Sequence, residues 1–176
     1  MLGKDNEYLS DFVYGGIDGA ITTLAIMAGA MGAALSPLIV IILGFANLVA
    51  DGFSMGVSDY LSTRSQNDLV AAHNREHPDW KNPMASGLTT FASFVVVGFV
   101  PLLPFLVAPF SPLISTHTPI FSFAFAAVAF LVVGGIQGYI TEKNKSLTAL
   151  RTLFIGGVAA TLAFAVGFLL NQWFGQ

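Results

Sequence analysis

Five stretches of this chain are each long and apolar enough to cross a bilayer: roughly 12–34, 38–60, 85–108, 120–141 and 149–173. A helical crossing takes about 20 consecutive apolar residues. Lipid offers no partner to backbone N–H and C=O groups, so a lone spanning segment must pair them within itself, as a helix does. The sequence therefore predicts an all-α integral membrane protein, a single five-helix domain over 1–176 in contact with lipid. Only 10% of the residues are charged, against about a quarter in soluble domains. Little of the chain is thus left for a water-filled domain. Cysteine is absent, which excludes disulfides, thiolate metal ligands and cysteine nucleophiles. No nucleic-acid partner and no tightly bound cofactor are expected.

Topology follows from the basic residues. Lys4, Arg64, Arg75, Lys81, Lys143, Lys145 and Arg151 all fall on one side of the five-span plan, and the opposite loops around 35–37 and 108–119 carry none. Basic loops stay in the cytoplasm, so the N-terminus is expected there. No short apolar core with a small-residue cleavage site precedes the first span, which is expected to act as its own signal. Ser36-Pro37 marks a tight turn, and 61–84 a short cytoplasmic link. Pro101 and Pro104 each remove a backbone donor and are expected to bend or break the third helix.

The first span reads DFVYGGIDGAITTLAIMAGAMGA and contains Asp18; the second contains ANLVADGFSMGVSDYLS, with Asp51 and Asp59. A charge near the bilayer centre costs about 2.5–3.5 kcal/mol on insertion scales, so these acids call for a reason. At ~1.5 Å per residue, Asp18 lies roughly 10 Å inside the first span. Asp51 reaches a similar depth on the returning second span, so the two can meet. At ~100° per residue, Glu7, Asp11 and Asp18 share one stripe. Asn47, Asp51, Ser54, Met55, Ser58 and Ser62 form another, with Asp59 at its edge. No Lys or Arg lies within the spans to neutralise these acids, unless Arg151 dips in. A carboxylate that meets a cation favours its anion, and one facing low dielectric favours its proton. Exchange of cation for proton at such a site follows naturally. The alternative is that the aspartates bond neighbouring backbone groups and hold the helices together.

Met55 carries a soft thioether, which beside a carboxylate suits a borderline transition metal such as Fe(II), Co(II) or Cu. A lone methionine also serves as core filler, and the sequence leaves both readings open. Asp18 and Met55 are two ligands where such an ion takes about four to six; a two-fold homodimer would double the set. Gly15, Gly16, Gly19, Ala20, Ala28, Gly29 and Gly32 permit close helix approach, between subunits or within one. In the link, His73 and His77 stand at i, i+4 with Glu76 beside them, a spacing that can hold a divalent ion on a helix face or simply mark a solvated segment.

The first-span motif and LVADGFSMGVSDYLSTRSQ resemble the first two helices of the vacuolar iron transporter family, most specifically over 11–66. The resemblance implies a homodimer of five-helix subunits with a pore at the dimer interface. It implies that Fe(II), and often Mn(II) or other divalents such as Co(II), leaves the cytosol in exchange for protons. On that likeness Asp18 and Met55 match pore ligands, and Glu7 and Asp11 match acidic entrance positions. Asp51, Asp59 and Asn47 are relay or accessory candidates. Asp59 and Asn47 stand where the family pattern has acidic residues, Glu in the first case. Eukaryotic members insert a Glu-rich cytoplasmic domain between the second and third helices, and the link here is too short to form one. The likeness implies the plasma (inner) membrane in a prokaryote, or a vacuolar or other organelle membrane in a eukaryote. Two further classes stay open. One is an intramembrane aspartyl protease, in which Asp18 and Asp51 share a proton, although GIDGA and VADGF lack the Gly-x-Gly-Asp form. The other is a non-transporting structural or regulatory subunit.

Overall fold

The computed structural model describes residues 8–72 and 81–175. Helix α1 is Leu9–Gly32, α2 Pro37–Ala72, α3 Pro83–Phe99, α4 Leu103–Val107, α5 Pro112–Ile140 and α6 Lys145–Phe174. Five of the helical stretches are long and apolar enough to cross a membrane, and the third of these is the composite Pro83–Phe110. No strand occurs among the described residues. The ends of the bundle differ. One carries Tyr8, Lys81 and Lys143 and is called the basic end below; the other carries the 33–36 turn and Ser111.

Two helix limits differ clearly from the sequence expectation. Helix α2 continues to Ala72, beyond 60. Its 36 residues span about 54 Å at 1.5 Å each, against a hydrocarbon core of about 30 Å. The added segment STRSQNDLVAA contains no Gly or Pro, so nothing interrupts the backbone ladder. Helix α5 starts at Pro112, not 120. Proline at a first helical position loses only a donor that would have been orphaned anyway. The backbone leaves helical geometry at His117 (φ −125°, ψ 25°), just ahead of Pro119. In the third span, Pro101 and Pro104 break the helix as expected, with 3-10 geometry at Val100–Leu102 and again at Ala108–Phe110.

The α1–α2 turn closes through Ala34, which takes a left-handed φ of 54°. Leu35 N donates to Ala30 O at 2.9 Å, and Ala34 N to Met31 O at 3.0 Å. These bonds satisfy the carbonyls at the end of α1. Pro37 then opens α2, so the tight turn lies where the sequence puts it.

Helix α1 sits centrally and packs on α2, α3, α5 and α6. Its small residues face inward: Gly15, Gly16, Gly19, Ala20, Ala28 and Gly32 are buried within the single subunit. A Cβ at Gly19 would run into the Phe94 carbonyl on α3. The reciprocal glycine on α3, Gly98, faces the Gly19 carbonyl. Two apolar clusters flank this seam. One joins Val13, Leu24, Phe130 and Val133; the other joins Met27, Leu48, Phe94 and Leu102.

Candidate functional site

Helix α2 buries one i, i+4 row, Val40, Gly44, Leu48, Gly52 and Gly56, against the bundle. The neighbouring row, Asn47, Asp51, Met55 and Asp59, runs beside it at the same spacing. Its members follow one another every ~6 Å along the axis.

The register between this row and α1 is set by a side-chain bond. Asn47 Nδ2 donates to Thr22 Oγ1 at 3.3 Å, and Thr22 Oγ1 donates back to the Asp18 carbonyl at 2.9 Å. One turn nearer the basic end lie Asp18 on α1 and Asp51 on α2. The Asn47–Thr22 bond puts the two at one level of neighbouring antiparallel helices. Asp18 is half-buried, whereas Asp51 is exposed on the outer face of the subunit. Among the described residues, no side-chain hydrogen bond or ion pair engages either carboxylate. A protease dyad needs the two acids hydrogen-bonded to each other, and these are not. Asp18 also lines a cavity of ≈ 330 Å³ between α1 and α5, shared with Ser10, Tyr14, Gln137 and Thr141.

Met55 is partly buried and packs against the cluster around Met27 and Phe94. It therefore lies in the Asp51 row and also touches the core. No group of three or more His, Asp or Glu side chains able to hold a metal ion occurs among the described residues.

Asp11 lies in the first turn of α1, at the basic end of the bundle. It is buried (7% exposed) between α1 and α3. Lys81 Nζ pairs with its Oδ1 at 2.6 Å, and Ser86 Oγ donates to its Oδ2 at 2.7 Å. A basic residue does reach one of the acids: it comes from the link, not from a span. Asp59, the last member of the α2 row, turns toward the same place. Its Oδ2 accepts from Thr90 Oγ1 at 2.7 Å and lies 2.9 Å from Ser86 Oγ. Thr63 Oγ1 donates to Ser86 Oγ at 3.2 Å. Asp11 and Asp59 are therefore joined through α3 hydroxyls, and both stand apart from Asp18 and Asp51. Ser86 and Thr90 had no place in the sequence reading, and Lys81 entered it only as a marker of topology. The available signal was Ser86, Thr90 and Ser93 at i, i+4, i+7, a polar stripe on a membrane helix. Glu7, His73, Glu76 and His77 lie outside the described residues.

The VIT family profile matches residues 9–78 and 73–168. The two matched stretches meet in the link between α2 and α3. The chain is 25% identical to a vacuolar iron transporter of Toxoplasma gondii over 228 positions, covering 94% of this chain and 75% of the relative. It is 24% identical to vacuolar iron transporter 1 of Arabidopsis thaliana over 216 positions, covering 91% and 85%. A vacuolar iron transporter of Plasmodium falciparum is 41% identical over 80 positions, 46% of this chain and 28% of the relative. The two long alignments exceed the 176 residues of this chain, so those relatives carry sequence that it lacks.

Proposed function

The chain belongs to the VIT family, and from that premise we propose that it moves Fe(II), and Mn(II) with it, out of the cytosol in exchange for protons. One observation supports this reading above the others. Two carboxylates at membrane depth, Asp18 and Asp51, stand one turn from the Asn47–Thr22 bond, and among the described residues neither engages a side chain by hydrogen bond or ion pair. Such a pair needs a cation, water or a proton to offset its charge. In this reading Asp18 strips part of the hydration from an incoming ion, and Asp51 supplies the second negative charge. When the ion departs, a proton takes its place, and its loss readies the site for the next ion. Metal moving one way and protons the other is the consequence. The names of the relatives, all vacuolar iron transporters, point to iron as the substrate.

The subunit face bearing Asp51, Ser54 and Ser58 is exposed. A polar face at membrane depth is poorly solvated by lipid. In this reading a second copy covers it and brings its own Asp18 and Met55, so the ion meets a doubled ligand set. Because the chain has no cysteine, Ser54→Cys would be its sole thiol. The expected result is a disulfide-linked dimer on oxidation in membranes. Monomer alone, with the thiol accessible, would contradict the pairing.

The role given to Met55 has its own test. Thioether sulfur favours Fe(II) over the oxygen-seeking ions Mg(II) and Ca(II). In proteoliposomes, the unaltered protein is expected to carry Fe(II) and Mn(II) and to refuse Mg(II) and Ca(II). Met55→Ala is expected to narrow that preference by about tenfold. An unchanged preference would leave Met55 as core packing only.

A further inference from the structure

The carboxylate of Asp11 already holds a cation belonging to the chain. Lys81 Nζ sits 2.6 Å from Oδ1, while Ser86 fixes Oδ2 from the other side. Resting on the transport reading above, we infer that Lys81 is a tethered competitor: its ammonium occupies the Asp11 site that an incoming divalent ion must take, and so sets the affinity for metal at the basic end of the bundle.

The backbone around Lys81 is fixed, while its side chain retains an exit. Asn67 Nδ2, near the end of α2, donates to the Lys81 carbonyl at 2.9 Å. The next residue, Asn82, donates its N–H to Tyr8 Oη at 3.3 Å. Asn82 also caps α3, its Oδ1 accepting from Met84 N at 2.9 Å. The Lys81 side chain, by contrast, keeps 25% of its surface exposed. A displaced ammonium therefore has water to enter, at the end of a flexible four-carbon stem.

Charge favours a divalent replacement. Asp11 and Asp59 face the same Ser86 hydroxyl, at 2.7 and 2.9 Å. With both ionised, two carboxylates and one ammonium sum to −1. A divalent ion in place of the ammonium brings the sum to zero, whereas a monovalent ion brings no gain. Ser86 has a single hydrogen and donates to one carboxylate at a time. Metal on Asp11 leaves that hydrogen free for Asp59, so the cluster can follow the exchange without a stranded acceptor.

The test is Mn(II) binding to purified protein in detergent, read from loss of the free-ion paramagnetic resonance signal. Lys81→Gln is expected to bind Mn(II) about tenfold more tightly than the unaltered protein. Lys81→Arg, which keeps the charge, is expected to stay near the unaltered value. Adding Asp11→Asn to Lys81→Gln is expected to remove the gain. Lys81→Gln binding no tighter, or a gain that survives Asp11→Asn, would overturn the inference. If Lys81→Gln does not elute as folded protein, the competition is read in the unaltered chain. Acylation of the Lys81 amine, followed by mass spectrometry, is then expected to speed up as Mn(II) is added, and an unchanged rate would overturn the inference. This readout is separate from transport: a binding gain without flux in vesicles would sink the transport reading and leave Lys81 as a competitor.

Discussion

Asp18→Asn is expected to lower Fe(II) and Mn(II) flux by on the order of 100-fold or more, the upper end of what a residue supporting a metal ligand commands, while leaving the fold intact. The separation of the two effects comes from the contacts. The Asp18 side chain engages no hydrogen-bond or ion-pair partner among the described residues. The bond that sets the α1–α2 register runs from Thr22 to the Asp18 backbone carbonyl, which the substitution keeps. Asparagine matches aspartate in size and takes one uncompensated charge out of the bundle. A thermal midpoint equal to or above that of the unaltered protein should therefore accompany the loss of flux. Loss of flux together with loss of folded protein would instead support the reading in which the acid only holds helices together.

Gly19→Val is expected to do the reverse and remove the fold itself. The valine Cβ would meet the Phe94 backbone carbonyl, and Gly98 on α3 faces the Gly19 carbonyl from the other side. Overpacking of a flexible core typically costs about 1–3 kcal/mol. Here the obstacle is backbone, so the helices must part, and α1 is the helix that touches α2, α3, α5 and α6. The expected outcome is aggregated material in place of a single peak on size exclusion. Gly135→Val is the matched control, because a Cβ there meets nothing within 4 Å. It is expected to elute as the unaltered protein does. A well-folded Gly19→Val protein would mean that the α1–α3 approach is looser than these contacts require.

The five spans were legible in the sequence because hydropathy acts locally and lipid enforces helical pairing. The common level of Asp18 and Asp51 on α1 and α2 was also legible. It needs only the helical rise and an antiparallel return through a short turn. Helix limits were less so. The polar run after Ser62 reads as a loop by composition, yet it continues α2 to Ala72 because nothing in it breaks a helix. The partner of Asp11 was hidden for a different reason. Lys81 is 70 positions away, and their contact depends on how α1 packs on α3. Periodicity assigns a residue to a face; it does not say which helix covers that face. The small residues of α1 show the same gap. Their spacing fits an interface between subunits or within one, and the packing of α3 and α6 takes them up inside the subunit.

The central claim is that metal and protons exchange through the Asp18 site. The most direct measurement records Mn(II) entry and internal pH together, in one population of proteoliposomes, with a proton gradient imposed in either direction. The account predicts that Mn(II) enters as protons leave. It further predicts that reversing the gradient reverses the net metal movement, and that both signals vanish together in Asp18→Asn. Mn(II) entry at the same rate whatever the gradient, with no change in internal pH, would contradict it.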